Sequence, residues 1–266
     1  MSKTLVQQQF GAHAGAYADS PVHAKGASLG RLVELVKPQS HWKVLDIATG
    51  AGHTAAAFAP HVARVIASDI TSEMVEEARK LAAAKGLANM EVASADAEAL
   101  PFEDERFDLV TCRIAAHHFP HVPQFVREVK RVLKGGGTFA LVDNISPDPL
   151  STPGFPEAEL RAAALAYNIF EKVRDPSHGR CLGLTEWGGI IGAAGFDLTH
   201  RERLPKDMAF DPWIERMAVD GATVARLRAM LEEGTPALKA FLKPRLEEGA
   251  LWFTLDEAIL IASKPG

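Results

Sequence analysis

The spacing of apolar positions changes several times along the chain. Between about residues 42 and 144, short runs of consecutive apolar residues alternate with longer stretches in which apolar positions recur every three or four residues. The short runs are residues 43–47, 64–69, 90–96, 107–113 and 138–143, and they predict five strands. Near-continuous apolar strands of this length suit a sheet covered on both faces. The longer stretches predict helices. After Thr71, a good N-cap, the stripe is Met74, Val75, Ala78, Leu81 and Ala82. Glu73, Glu76 and Glu77 come early, Arg79, Lys80 and Lys85 late, and Gly86 supplies a C′ stop, an order that matches the helix macrodipole. Another helix is expected from near Pro123, burying Phe125, Val126, Val129, Val132 and Leu133, with Gly135-Gly136-Gly137 ending it. Such alternation with short links predicts an α/β fold, a doubly wound and mostly parallel sheet.

The flanks read differently. Residues 23–37 form one more amphipathic pattern. Past Asn144, a proline-rich loop (Pro147, Pro149, Pro153, Pro156) leads to a helix at 157–172 with Leu160, Ala163, Ala164, Tyr167 and Phe170 on one stripe. A helix at 185–194, a strand near 196–203, two or three helices within 212–247 and a last strand at 258–263 complete the pattern. The reading is of a single domain over 1–266, with its core at about 40–145 and region 146–266 completing the sheet and adding helical insertions that form a cap.

Composition narrows the function. Of 266 residues, 47% are hydrophobic, enough for a sizeable core, and 29 basic against 34 acidic residues leave a net charge of −5. A mildly acidic chain offers no electrostatic reason to bind nucleic acid or a membrane surface. The two cysteines, Cys112 and Cys181, cannot build a disulfide framework or a cysteine zinc site. Residues 1–9 lack the apolar core of a signal peptide, and no run approaches the ~18 apolar residues of a membrane span, so a cytoplasmic protein is expected, its oligomeric state open.

In a doubly wound sheet, ligands bind outside the carboxyl ends of the strands. The first three predicted strands end on or near Asp46, Asp69 and Asp96, and the turn after the first holds Gly50 and Gly52, which let a ligand approach the backbone. Gly50-Ala51-Gly52-His53-Thr54-Ala55 matches the dinucleotide pattern G-x-G-x-x-G/A, with Asp69 spaced to take a ribose diol. Asp46 opposes a pyrophosphate, since a carboxylate four residues before Gly50 would face two phosphate charges. The same acid suits a ligand carrying an ammonium and a sulfonium, with Asp69 on the ribose and Asp96 on the adenine amine. Three acids favour a cationic nucleoside, S-adenosylmethionine, over an anionic one.

These residues carry a family resemblance. Val44-Leu45-Asp46-Ile47-Ala48-Thr49-Gly50-Ala51-Gly52 resembles the first motif of class I S-adenosylmethionine-dependent methyltransferases, Asp69-Ile70-Thr71-Ser72-Glu73-Met74 their second, and Asp96-Ala97-Glu98-Ala99-Leu100-Pro101-Phe102 their adenine-side motif. Residues 127–137 resemble the helix and glycine turn before the fifth strand. The branch it is most similar to holds the quinone-biosynthesis C-methyltransferases and, beside them, a bacterial subgroup of unassigned substrate that is similar over residues 112–119 and 174–178. The resemblance implies a Rossmann-like fold and, as cofactor-binding residues, Tyr17, Asp46, Ala48, Gly50, Gly52, Asp69, Ile70, Met74, Asp96, Ala97 and Arg113. Two departures stand out. Ala48 replaces the first glycine of D-x-G-x-G-x-G, which fits if its backbone is β. His117-His118 stand where the quinone enzymes typically have Arg-Asn, which speaks against a quinone acceptor.

The expected reaction is in-line methyl transfer to a small-molecule acceptor, releasing S-adenosylhomocysteine, and it is chiefly a matter of alignment. His118, and beside it His117, are the candidates to orient the acceptor and take a proton, with His178 and Arg180 as acceptor-side residues. His117, His118 and His121 resemble a metal cluster, but Pro120 breaks the helix that would align them and no metal is expected. Cys112 reads as a small buried hydrophobe. A lid is expected from the N-terminal segment with Phe10 and Tyr17 or from residues 146–180. A nicotinamide-dependent oxidoreductase using the glycine turn and a non-catalytic S-adenosylmethionine-binding protein remain as competing readings.

Overall fold

Parallel strands buried on both faces are forced to be apolar along their length, and here they fall where the apolar runs do. In the computed structural model, which describes residues 3–12, 26–215, 217 and 219–266, the strands are β1 (Lys43–Ile47), β2 (Arg64–Asp69), β3 (Met90–Ser94), β4 (Phe107–Arg113), β5 (Leu133–Asn144), β6 (Asp197–Ala209), β7 (Arg245–Glu247) and β8 (Ala250–Ser263). The chain divides into two compact units, one made of Met1–Asp143, Gly189–Glu202 and Ile259–Gly266, the other of Asn144–Gly188 and Arg203–Ala258.

The strand order is β3-β2-β1-β4-β5-β8-β6, and of β6 and β8 only residues 197–202 and 259–263 belong to the first unit. Strand β1 is paired in parallel to β2 and β4, β2 to β3, and β4 to β5. All five of these strands therefore bring their carboxyl ends to one edge. The helices of this unit are α1 (Lys3–Ala12), α2 (Ala27–Val36), α3 (His53–Phe58), α4 (Ser72–Ala84) and α5 (Val122–Val132), followed by α7 (Leu184–Ala193), which crosses from the second unit. Leu45, Val65, Leu109, Val110, Phe139 and Leu141 are fully or almost fully buried between the helix layers. Gly86 follows α4 with φ 63, the left-handed stop its position predicts.

The second unit holds α6 (Glu157–Arg174), α8 (Phe210–Glu215), α9 (Gly221–Glu232) and α10 (Pro236–Leu242). The inner face of α6 buries Leu160, Ala163, Tyr167 and Phe170, and Phe170 stacks on Trp213 with ring centroids 5.0 Å apart. Strands β7 and β8 form an antiparallel hairpin whose two-residue turn, Glu248-Gly249, has φ 50 and 82.

Among the boundaries that depart from the pattern, two have a visible cause. Gly135-Gly136-Gly137 lies inside β5 and does not stop a helix, because α5 already ends at Val132. A Cβ on Gly137 would come within 2.9 Å of the Lys134 carbonyl oxygen, so close backbone packing explains the glycine. Strand β8 starts eight residues earlier than its apolar run, since buried Thr254, Asp256 and Glu257 interrupt that run. Arg203 pairs with Asp256, and Lys206 lies 3.1 Å from Glu257, which makes these acids tolerable inside.

Candidate functional site

The carboxyl edge of β1 is built around a buried acid. Asp46 is 1% exposed, and its two carboxylate oxygens accept from the hydroxyls of Thr49 and Thr111, each at 2.6 Å. Burial pushes its pKa up to about 6, against the opposing pull of those two hydroxyls and of the Arg113 charge.

The turn that follows does not have the backbone expected of it. Ala48 adopts φ 51, in the left-handed region, so a β conformation is not what lets alanine stand where the family has glycine. The Cβ is accommodated at the expense of strain, of order 1 kcal/mol. Gly50, at φ 55, has open space where a Cβ would be, whereas a Cβ on Gly52 (φ 89) would lie 2.9 Å from the Met90 side chain and 3.0 Å from that of Ala78. Only Gly50 leaves room for a ligand. Gly52 is needed for packing against α4.

Asp69, at the end of β2, closes this turn from the other side. Its carboxylate accepts the N–H of Gly50 and that of Thr71, both at 2.9 Å, and burial raises its pKa against those backbone bonds. The N–H of Thr49 donates to the Ser68 carbonyl and that of Gly52 to the Thr49 carbonyl. Ile70 presents its carbonyl to Gln7, and Met74 is buried on the inner face of α4.

Beyond β3, Asp96 sits in a tight turn closed by a bridge to Ala99, with Ala97 buried and the N–H of Glu98 donating to the Asp96 carboxylate at 3.0 Å. The Lys3 ammonium of α1 reaches this turn, 2.5 Å from Asp96 and 2.7 Å from Glu98. The same helix brings Gln7 to Ile70 and sets the Phe10 ring edge-on to His118 at 5.0 Å. Helix α1 thus runs across the carboxyl edge from β3 to β4. Tyr17 lies outside the described residues.

After β4, Arg113 donates from Nε to the Thr54 hydroxyl at 3.0 Å. Ile114 follows at φ 54, a left-handed backbone that a β-branched side chain strongly disfavours, and its N–H is held by the Val142 carbonyl at 2.7 Å. The chain then makes one short turn, Ala116–His118, which buries both histidines with ring centroids 4.2 Å apart. The Nδ1 atom of His117 is 2.6 Å from a carboxylate oxygen of Asp143, itself 2% exposed at the end of β5. Cys112 is fully buried, and its thiol is pushed well above the ordinary range by burial and by the charges of Asp143, Asp46 and Asp69, so it is no nucleophile. Among the described residues, no group of histidine, cysteine and acidic side chains could hold a metal ion.

The two remaining candidates lie in the second unit. His178 is 2% exposed and its Nε2 is 2.9 Å from the Asn168 side-chain oxygen, while Arg180 is exposed and paired with Glu186 at 2.6 Å. The first unit, for its part, gathers Asp46, Ala48, Gly50, Asp69, Asp96, Arg113, His117 and His118 along one sheet edge. Sequence reasoning missed Asp143 and Lys3. Asp143 had a usable signal, as it ends a predicted strand just as Asp46 and Asp69 do. Lys3 had none, because its partners lie more than ninety residues away.

Comparison with known proteins places this edge in context. A methyltransferase domain model matches residues 45–141. The chain is 40% identical over 207 residues to the uncharacterised methyltransferase YcgJ of Bacillus subtilis, covering 78% of each chain. It superposes on the YcgJ crystal structure with a TM-score of 0.79 at 34% identity, over 90% of this chain and 98% of that one. It is also 39% identical over 108 residues to the ubiquinone/menaquinone biosynthesis C-methyltransferase UbiE of Bartonella tribocorum, a match covering 39% of this chain and 42% of the relative. With a relative this similar over most of both chains, and with the acid-lined glycine turn at the edge of a mostly parallel sheet, the chain belongs to the class I S-adenosylmethionine-dependent methyltransferases.

Proposed function

We propose that the chain binds S-adenosylmethionine at the carboxyl edge of β1–β3 and transfers its methyl group to a small-molecule acceptor. The observation that carries this reading is the state of the glycine turn. A dinucleotide pyrophosphate needs free N–H groups there. Here the N–H groups of Thr49, Gly50 and Gly52 already donate within the protein, and the group that takes the Gly50 N–H is a carboxylate. A site framed by Asp46, Asp69 and Asp96 repels phosphate and attracts a cation.

The residues fit that cofactor in kind. Asp69 uses one lone pair on each oxygen for Gly50 and Thr71 and retains acceptor capacity for a ribose diol. Open space at Gly50 admits the ligand. Asp46, behind the turn, supplies a negative field without direct exposure. Asp96 accepts an amine donor, the role that the Lys3 ammonium fills in this structure. When bound, S-adenosylmethionine supplies a methyl group activated by a positively charged sulfur. The chain's own task is to hold the acceptor in line, exclude water and manage any proton released. Helix α1 is the candidate lid, and His117 and His118 are the candidate acceptor-side groups of the first unit; His178 and Arg180, in the second unit, are acceptor-side candidates from the sequence alone. Among the described residues, no helix is long and apolar enough to cross a membrane.

Incubation of the purified chain with methyl-labelled S-adenosylmethionine and a small-molecule cell extract tests the reading. Label is expected in extract compounds in step with S-adenosylhomocysteine formation. Cofactor consumption without any labelled acceptor, or no consumption, would overturn methyl transfer.

A further inference from the structure

We infer that Asp143 is a positioning residue that turns His117 into the proton acceptor of the reaction, and that the acceptor is therefore a protic nucleophile, an acidic O–H or C–H group that must shed its proton as it is methylated. The inference rests on the methyl-transfer reading and adds to it the substrate class and a role for a residue outside the cofactor motifs.

The argument starts from one hydrogen bond. With Asp143 as a carboxylate, which has no proton to give, the Nδ1 atom of His117 is the donor at 2.6 Å and the Asp143 oxygen the acceptor. That fixes the tautomer. The proton that the ring gains and loses is then the one on Nε2, while Nδ1–H stays with Asp143 throughout. Both side chains are nearly buried, 7% exposed for His117 and 2% for Asp143, so the bond acts in a poorly screened medium.

The backbone supports an aimed pair. His117 follows Ile114, whose left-handed backbone is held by the carbonyl of Val142, the residue before Asp143. One strained anchor therefore couples the histidine loop to the end of β5 that carries the carboxylate. Strain of this kind persists where the surroundings over-determine a geometry, and such places cluster at functional sites. The neighbouring His118 ring meets Phe10 of α1 and the His117 ring.

The step balances. The acceptor's oxygen or carbon forms a bond to the methyl carbon, the sulfur–methyl bond breaks, and its electron pair returns to sulfur as a neutral thioether. The acceptor's proton passes to Nε2 of His117, leaving an imidazolium beside the Asp143 carboxylate. A thioether or tertiary amine acceptor would have no proton to lose and would leave this pair without a task.

The test uses the 266-residue chain, methyl-labelled S-adenosylmethionine and the same extract. Carbon NMR of the labelled products is expected to find the methyl group on oxygen or carbon, and label only on sulfonium or quaternary nitrogen would overturn the inference. Asp143→Asn, whose amide can donate to Nδ1 and so move the ring proton to Nε2, should lower kcat by about 100-fold or more, with KM and cofactor affinity within about twofold. Nitrogen-15 spectra of the His117 ring should show Nδ1–H in the wild type and its loss in the variant. An unchanged kcat in a folded Asp143→Asn variant, or an Nε2–H tautomer in the wild type, would overturn it. Absence of all label transfer while the cofactor still binds would instead remove the methyl-transfer reading on which the inference stands.

Discussion

At Asp46 a carboxylate sits almost wholly out of water, with two threonine hydroxyls donating to it and a pKa of about 6. In the unfolded chain the same group ionises near 3.8. The folded state therefore binds the proton more tightly, and its stability falls as pH rises from about 4 to about 6, with the full penalty present above that window. The size is roughly 3 kcal/mol, counting 1.36 kcal/mol per pKa unit. Asp46→Asn should accordingly be more stable than the wild type by about that amount in urea melts near pH 8, and close to it near pH 4. Equal stability near pH 8 would mean that the buried charge is not penalised. The same variant should lose affinity for cationic S-adenosylmethionine more than for neutral S-adenosylhomocysteine, since a charge retained against stability is one with a ligand to meet. How far single residues were legible follows the same division. Acids at strand ends were readable, because any strand end in this fold faces the ligand edge. The φ of Ala48, and the assignment of Gly50 to the ligand and Gly52 to packing, depend on what stands within 3 Å of each Cβ, which no local pattern records.

Among the elements, α1 is the one whose placement is wholly tertiary. Ten residues, Lys3–Ala12, are too few for a stable helix in water, and the segment shows no strong apolar stripe. Its position depends on Lys3 meeting Asp96 and Glu98, on Gln7 meeting the Ile70 carbonyl and on Phe10 meeting His118. Each of these partners belongs to the loops that frame the site, so the helix and a bound cofactor should stabilise one another. Limited proteolysis near Phe10 is expected to slow when S-adenosylmethionine is added and to quicken in Lys3→Ala. A cleavage rate indifferent to both changes would detach α1 from the site. The sequence marked this region only as a possible lid through its aromatic residues. By contrast α4, α5 and α6 were legible because each carries a stripe facing a sheet or a neighbouring helix. Strand β5 starts earlier than its apolar run, where three glycines read as punctuation but lie inside the strand, the last of them, Gly137, in close backbone packing.

At the level of the whole molecule, the first unit is built on parallel strands that encode themselves as apolar runs, and its doubly wound, mostly parallel character was legible from strand–helix alternation. The second unit was less legible. Its helices were expected, but the long β6 and β8 carry charged residues that pair across the sheet inside this unit, as Arg203 does with Asp256. Polar pairs satisfied by distant partners leave no period to read. What the fold achieves for function is the convergence of Asp46, Asp69 and Asp96 beside a turn whose N–H groups are already engaged. The most direct test of that claim is calorimetric titration of the chain with S-adenosylmethionine, S-adenosylhomocysteine and NADH, repeated on Asp69→Ala. Saturable binding of the first two, none of NADH, and a loss of roughly 1.5–3 kcal/mol in the variant is the predicted result. Binding of NADH without S-adenosylmethionine, or an affinity unaffected by Asp69→Ala, would contradict it.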